Sequence, residues 1–149
     1  MDEASSLTEI RAQILRQHVE IRARLRGIER LAKACHAAEA RRHLHTSLTH
    51  FAAVFDEHLG FEERTLEPIV RAVDAWGTVR ADAMLAEHAE QRQRVERAAA
   101  FAEDGEITHH ELEGELHWLA QSLLSDMTAE ETALAALETL DVASTQMTG

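Results

Sequence analysis

The sequence predicts an all-α protein, an up-down-up-down antiparallel four-helix bundle. Three observations carry this: four long stretches repeat apolar residues at three-and-four spacing, turn-forming residues cluster between those stretches, and no segment shows a strand signal. One proline and six glycines in 149 residues leave little punctuation for a β-rich fold. The chain suits a single domain, residues 1–149, with a core of about 7–140. That core is mostly aliphatic and alanine, since 45% of residues are hydrophobic and only 4% aromatic.

The first helix begins at a capping box, Ser6 with Glu9, and carries Leu7, Ile10, Ile14, His18, Ile21, Leu25, Ile28, Ala32 and Cys35 along one face. A lone cysteine in that stripe closes no intramolecular disulfide and reads as a small core residue. After a loop near residues 36–40, the second helix runs Leu44, Leu48, Phe51, Phe55, His58, Glu62, Leu66, Ile69 and Val73. Pro68 lies inside it and removes one backbone hydrogen bond, which predicts a bend just beyond the His58 and Glu62 turn.

A break at Ala75-Trp76-Gly77-Thr78 precedes the third helix, whose stripe is Ala81, Met84 or Leu85, His88, Gln91 or Arg92, Val95 and Ala99. Glu103-Asp104-Gly105-Glu106 breaks the period again, and Thr108 with Glu111 forms a second capping box. The fourth helix follows with Leu112, Leu116, Leu119, Leu123, Asp126, Glu130, Ala133 or Leu134 and Leu137. Beyond Asp141 the stripe is lost, and residues 141–149 read as a frayed tail.

Polar groups stand on these stripes where a core should have leucines. They are His18, His58, Glu62, His88, Asp126 and Glu130. Counting along antiparallel helices brings them to one depth: Glu62 lies about 13 residues before the Trp76 turn and His88 about 11 after it, agreement within one helical turn. Burying carboxylates costs several kcal/mol each unless a positive charge compensates, so a shared layer of them predicts a metal cluster. Mixed imidazole and carboxylate donors suit iron or manganese, and zinc also accepts them. The absence of cysteine from the layer disfavours iron-sulfur and zinc-thiolate sites. His36, His43, His45, His50, His109, His110 and His117 share no such layer and read as solvated or capping residues, while Trp76 and Trp118 read as packing groups at a loop and a helix flank.

A formal charge of −12 argues against nucleic acid or an anionic membrane as partner. No apolar run approaches the roughly 20 residues of a membrane span, and MDEASSLTEI lacks the basic start and apolar stretch of a secretory signal. The expected compartment is the cytoplasm.

These residues, in this order, resemble the hemerythrin-like family, also called the HHE cation-binding domain, over roughly residues 7–140. HLGFEERTLEP, from His58 to Pro68, is similar to its H-x-x-x-E-E segment with a following proline. Glu87-His88 resembles its third-helix signature, and His18 stands where the family places its first-helix histidine. The resemblance implies a non-haem centre of two iron ions bridged by carboxylates and an oxo or hydroxo group, reacting with O2, peroxide or nitric oxide, or handling iron itself. It implies His18, His58 and His88 as terminal nitrogen ligands and Glu62 and Glu130 as bridging carboxylates, with Glu131 replacing Glu130 if the fourth helix rotates slightly.

Two departures from the pattern stand out. DMTAEE puts Asp126 where the family usually has a histidine, and the third helix offers Gln91 or Arg92 where oxygen carriers have a second one. Fewer nitrogen and more oxygen ligands argue against reversible oxygen carriage. The same kind of centre serves a binder, a sensor or an enzyme, in the last case a peroxidase, oxidase or nitric-oxide-reactive oxidoreductase. The competing expectation is a metal-free interaction module in which Asp126 pairs with Arg92 across the core. A ferritin-like carboxylate oxidase is disfavoured, because its Glu-x-x-His spacing does not occur at this depth.

Overall fold

The computed structural model describes residues 6–34 and 38–147, with side chains to Val142. Four long helices dominate: α1 (Leu7–Ala34), α2 (Ala38–Thr65), α4 (Gly77–Glu103) and α5 (His109–Met147), with a one-and-a-half-turn helix α3 (Glu67–Ala72) after α2. No strand occurs among the described residues. Each long helix packs on its two sequence neighbours in the ring, α1 on α2, α2 on α4, α4 on α5 and α5 back on α1, as the predicted up-down-up-down bundle requires. Cys35 and His36 lie outside the described residues.

Local chemistry sets the boundaries. Ser6 Oγ accepts the Glu9 amide at 3.2 Å, and Thr108 and Glu111 cap each other reciprocally at 3.1 and 3.2 Å, so both predicted boxes cap helices. The second predicted helix is split at Leu66 by Pro68, which occupies the first turn of α3, where its missing N–H costs nothing. Amide bonds from Leu66 to Glu62 and from Val70 to Leu66 carry the backbone across that break. At the α3–α4 corner a Cβ on Gly77 would lie 2.3 Å from the Arg71 carbonyl oxygen, so only glycine lets α4 start this close to α3. At the opposite end the Arg41 guanidinium donates to the carbonyls of Phe101, Ala102, Asp104 and Ile107, satisfying acceptors that the end of α4 leaves open.

Where the sequence predicts a frayed tail after Asp141, α5 continues as helix to Met147. Loss of an apolar stripe removes the reason to pack, but not the backbone hydrogen bonds that extend an existing helix.

The interior falls into two apolar clusters. One joins Ile21, Leu25, Leu44, Leu48, Phe51, Phe55, Val95, Leu116 and Leu123, with others, toward the Arg41 end. The other is smaller and joins Leu7, Ile10, Ile14, Leu66, Val70, Ala81, Leu134 and Leu137 toward the α3 end. The polar residues of the stripes lie between them: His18 between Ile14 and Ile21, Glu62 between Leu59 and Leu66, His88 between Ala81 and Val95, and Glu130 between Met127 and Leu134.

Candidate metal centre

Helical periodicity turns one side chain per turn inward at the level between the two apolar clusters, and there each long helix delivers a polar group. His18 (0% exposed), His58 (4%), Glu62 (0%) and His88 (2%) are buried, while the Glu130 side chain is 25% exposed. Two groups of donor atoms lie within 4.8 Å of one another: His18, His58 and Glu130, and Glu62, His88 and Glu130. Glu130 belongs to both. Donors held about 2.0–2.2 Å from a common ion are no more than about 4.4 Å apart, so small adjustments would close either group on a cation.

The imidazoles are oriented from behind. His18 Nδ1 meets Glu131 Oε2 at 2.7 Å, His88 Nδ1 meets Glu63 Oε2 at 2.9 Å, and His58 Nδ1 meets Gln17 Oε1 at 2.6 Å. An oxygen of this kind only accepts, so each Nδ1 carries the hydrogen and each Nε2 turns a lone pair toward the centre. Three of the four long helices thus hold a histidine of the next helix around the ring: Gln17 on α1 serves α2, Glu63 on α2 serves α4, and Glu131 on α5 serves α1. Arginines back the two carboxylates, Arg92 on Glu63 at 2.8 Å and Arg22 on Glu131 at 2.8 Å. They hold both Glu63 and Glu131 below the usual carboxylate range, with the histidine contacts adding to the effect.

What faces inward is short of partners. His18 Nε2 approaches Glu130 Oε1 to 3.0 Å, and His58 Nε2 approaches Glu62 Oε1 to 3.0 Å. With hydrogen on Nδ1, these are meetings of two acceptors rather than hydrogen bonds. Consistently, His18 Nε2, His88 Nε2, both Glu62 oxygens and Glu130 Oε1 are buried without a hydrogen-bond partner among the described residues. Leaving such atoms unmet costs about 1–3 kcal/mol apiece. A cation between them removes that cost, and the donor set therefore fits a metal.

Electrostatics without a cation tell the same story. Burial pushes the Glu62 carboxyl well above its ordinary range, reinforced by the negative Glu130. Burial, then the neighbouring His18, lowers His58 to about 4, keeping its imidazole neutral.

Five of the six residues singled out by the sequence come together, and Asp126 does not. Its Oδ2 accepts from Arg94 at 2.9 Å and from Gln91 at 3.1 Å, which neutralises it outside both donor groups. The predicted alternative pairing with Arg92 is also corrected, since Arg92 binds Asp56 and Glu63. Gln91 (7% exposed), not Arg92, faces the core. Glu131, the alternative to Glu130, stands behind His18 instead of beside the centre. Trp76, expected to pack, is 66% exposed, and Trp118 is 46% exposed with Arg94 and Arg97 over its ring. Of the remaining histidines, His45 and His117 sit near Glu103 and Glu29, away from the layer.

Gln17 and Glu63 were not singled out from the sequence, yet a signal was present. Each supporting residue is the chain neighbour of an inward-facing one: Gln17 beside His18, Glu63 beside Glu62, Glu131 beside Glu130. One step along a helix turns a side chain by about 100°, from the bundle axis toward the adjoining helix.

No curated protein and no solved structure matches this chain significantly. The profile of the hemerythrin HHE cation binding domain matches residues 9–137, which spans all four long helices and every residue of the layer. With that match over most of its length and a bundle of the expected topology, the chain belongs to the hemerythrin HHE cation-binding domain family.

Proposed function

We propose that the protein is a non-haem di-metal protein, with iron as the resident ion, that reacts with oxygen, peroxide or nitric oxide or handles iron itself. The observation that carries this reading is the set of inward-turned, partnerless atoms on His18, His88, Glu62 and Glu130. His18, His58 and Glu130 would hold one ion, and Glu62, His88 and Glu130 the second, with Glu130 common to both. Manganese or zinc would suit the same donors less specifically. When bound, iron supplies one-electron redox chemistry at the centre.

The chain contributes the rest. Glu131, Glu63 and Gln17 fix the tautomers of the three imidazoles, so lone pairs are presented without rearrangement. The two apolar clusters on either side keep His18, His58, Glu62 and His88 buried. The Arg94–Asp126 ion pair withdraws the aspartate from the donors, leaving three imidazole nitrogens and the carboxylates of Glu62 and Glu130 to hold the ions.

Anaerobic reconstitution with ferrous iron tests the reading, with metal content and thermal unfolding as readouts. About two ions per chain and a raised melting temperature are expected. Absence of iron uptake by folded protein would overturn it.

A further inference from the structure

A cleft of about 390 Å3 opens between α4 and α5 and ends on Glu130. Among the five candidate ligands only Glu130 has appreciable exposure; the others are at most 4% exposed. A separate cleft between α1 and α2 reaches His58 as well, but from the side of Gln17, behind the imidazole and not at its free lone pair. The α4–α5 cleft is therefore an open approach to the inner face of the layer among the described residues.

Its lining is graded. Asp126, Glu130 and Glu87 gather at one end, whereas Leu66, Val70, Leu134 and Leu137 belong to the apolar cluster at the other, where Arg80, paired with Asp74, also lines the wall. From Asp126 to Leu137 the α5 wall extends roughly 16 Å at 1.5 Å per residue. Ala83 on α4 and Ala129 and Ala133 on α5 also line it, and side chains this small leave a gap that leucines would fill.

Size and charge together select the occupant. The volume is more than ten times the roughly 30 Å3 share of one water molecule, far beyond what a diatomic gas or hydrogen peroxide needs. It falls within the range of about 300–1,000 Å3 typical of organic ligands. Apolar walls favour a hydrocarbon body, while Glu87 and Glu130, which unlike Asp126 form no ion pair with an arginine among the described residues, repel an anionic head and accept hydrogen bonds from an O–H.

We propose that this cleft binds a neutral organic molecule with an aliphatic or aromatic body and a hydroxyl or hydroperoxyl head, oriented with the head toward Glu130. The occupant's relation to the metal rests on the function proposed above; occupancy of the cleft does not.

The test uses cumyl alcohol, a non-reducible relative of an aromatic hydroperoxide, with benzoate as its anionic counterpart. Binding to metal-free and iron-loaded protein is followed by calorimetry and ligand-observed NMR. Saturable binding of the alcohol to both forms is expected, with benzoate at least tenfold weaker on the metal-free protein, where Glu130 is unliganded. Ala133→Phe and, from the facing helix, Ala83→Phe should each weaken the alcohol at least tenfold with iron content and melting temperature unchanged. Both positions are exposed, so the larger ring enters the cleft and not the core.

No saturable binding at millimolar alcohol, equal binding by both variants, or benzoate binding the metal-free protein as tightly as the alcohol would each overturn the proposal. Alcohol binding by protein that takes up no iron would sustain the cleft and overturn the metal reading. Iron uptake without alcohol binding would do the reverse.

Discussion

The two halves of the interior differ in more than size. Toward the Arg41 end, eighteen buried apolar residues from all four long helices form one cluster, with Phe51 and Phe55 stacked 5.6 Å apart at its centre. Toward the α3 end only eight do, and there the α4–α5 seam opens into the cleft that reaches Glu130. The polar layer sits at the boundary. The larger cluster supplies most of the burial that keeps four helices in register, even though a groove of about 560 Å3 between α1 and α2 reaches Phe51 within it. The smaller one leaves a cleft that reaches the layer itself.

That contrast can be broken most directly by cutting each half in turn. Phe51→Ala, in the larger cluster, should cost about 3–5 kcal/mol in urea unfolding of the metal-free protein. Leu137→Ala, beside the cleft and already 8% exposed, should cost about 2 kcal/mol because the opening needs no new cavity. Equal losses would show that the two halves carry the fold alike.

The boundary layer should answer to pH. Because folding lowers His58 from 6.5 to about 4, the unfolded chain binds the extra proton between those values. The neutral imidazole's contribution is thus full above about pH 6.5 and lost as the pH falls toward 4, amounting to as much as ~3 kcal/mol. Glu62 has the opposite sign: its raised value means stability is lost as the pH rises through it. Unfolding curves of metal-free protein from pH 7.5 to 4 should show the acid loss, and His58→Asn should flatten it. An unchanged slope in that variant would remove His58 as the source.

A finer test addresses the supports behind the imidazoles. Glu131→Gln keeps an acceptor for His18 but removes its charge, and should weaken metal binding by about 10–100-fold in a chelator competition. Its effect on the unfolding of the metal-free protein should be smaller than that of Leu137→Ala. If metal affinity were unaffected, the carboxylate behind His18 would be packing alone.

Much of this was legible in the chain. The three-and-four spacing of Leu7, Ile10, Ile14 and Ile21 specifies a helix with one buried face, and the same holds for Leu112, Leu116, Leu119 and Leu123, because helical period is a property of local sequence. His18, His58, Glu62, His88 and Glu130 stood out because they interrupt such faces at a common depth. Asp126 stood out by the same logic and was misplaced. Its fate depends on Arg94, eight residues before the end of α4's apolar stripe at Ala102 and on no stripe itself, reaching across the α4–α5 seam. Whether Gln91 or Arg92 turns inward was equally open, since both lie within one turn of the predicted face.

The sequence by itself determined the helices, their order and the polarity of the layer, all of which follow from periodicity and loop length. Only the tertiary structure decided the rotation of each helix about its axis: which glutamate of 130 and 131 turns inward, which arginine meets Asp126, and where alanines leave the bundle ajar. A rotation of a few tens of degrees leaves the apolar stripe buried, so hydrophobicity hardly distinguishes these alternatives. The short-range contacts between helices choose among them.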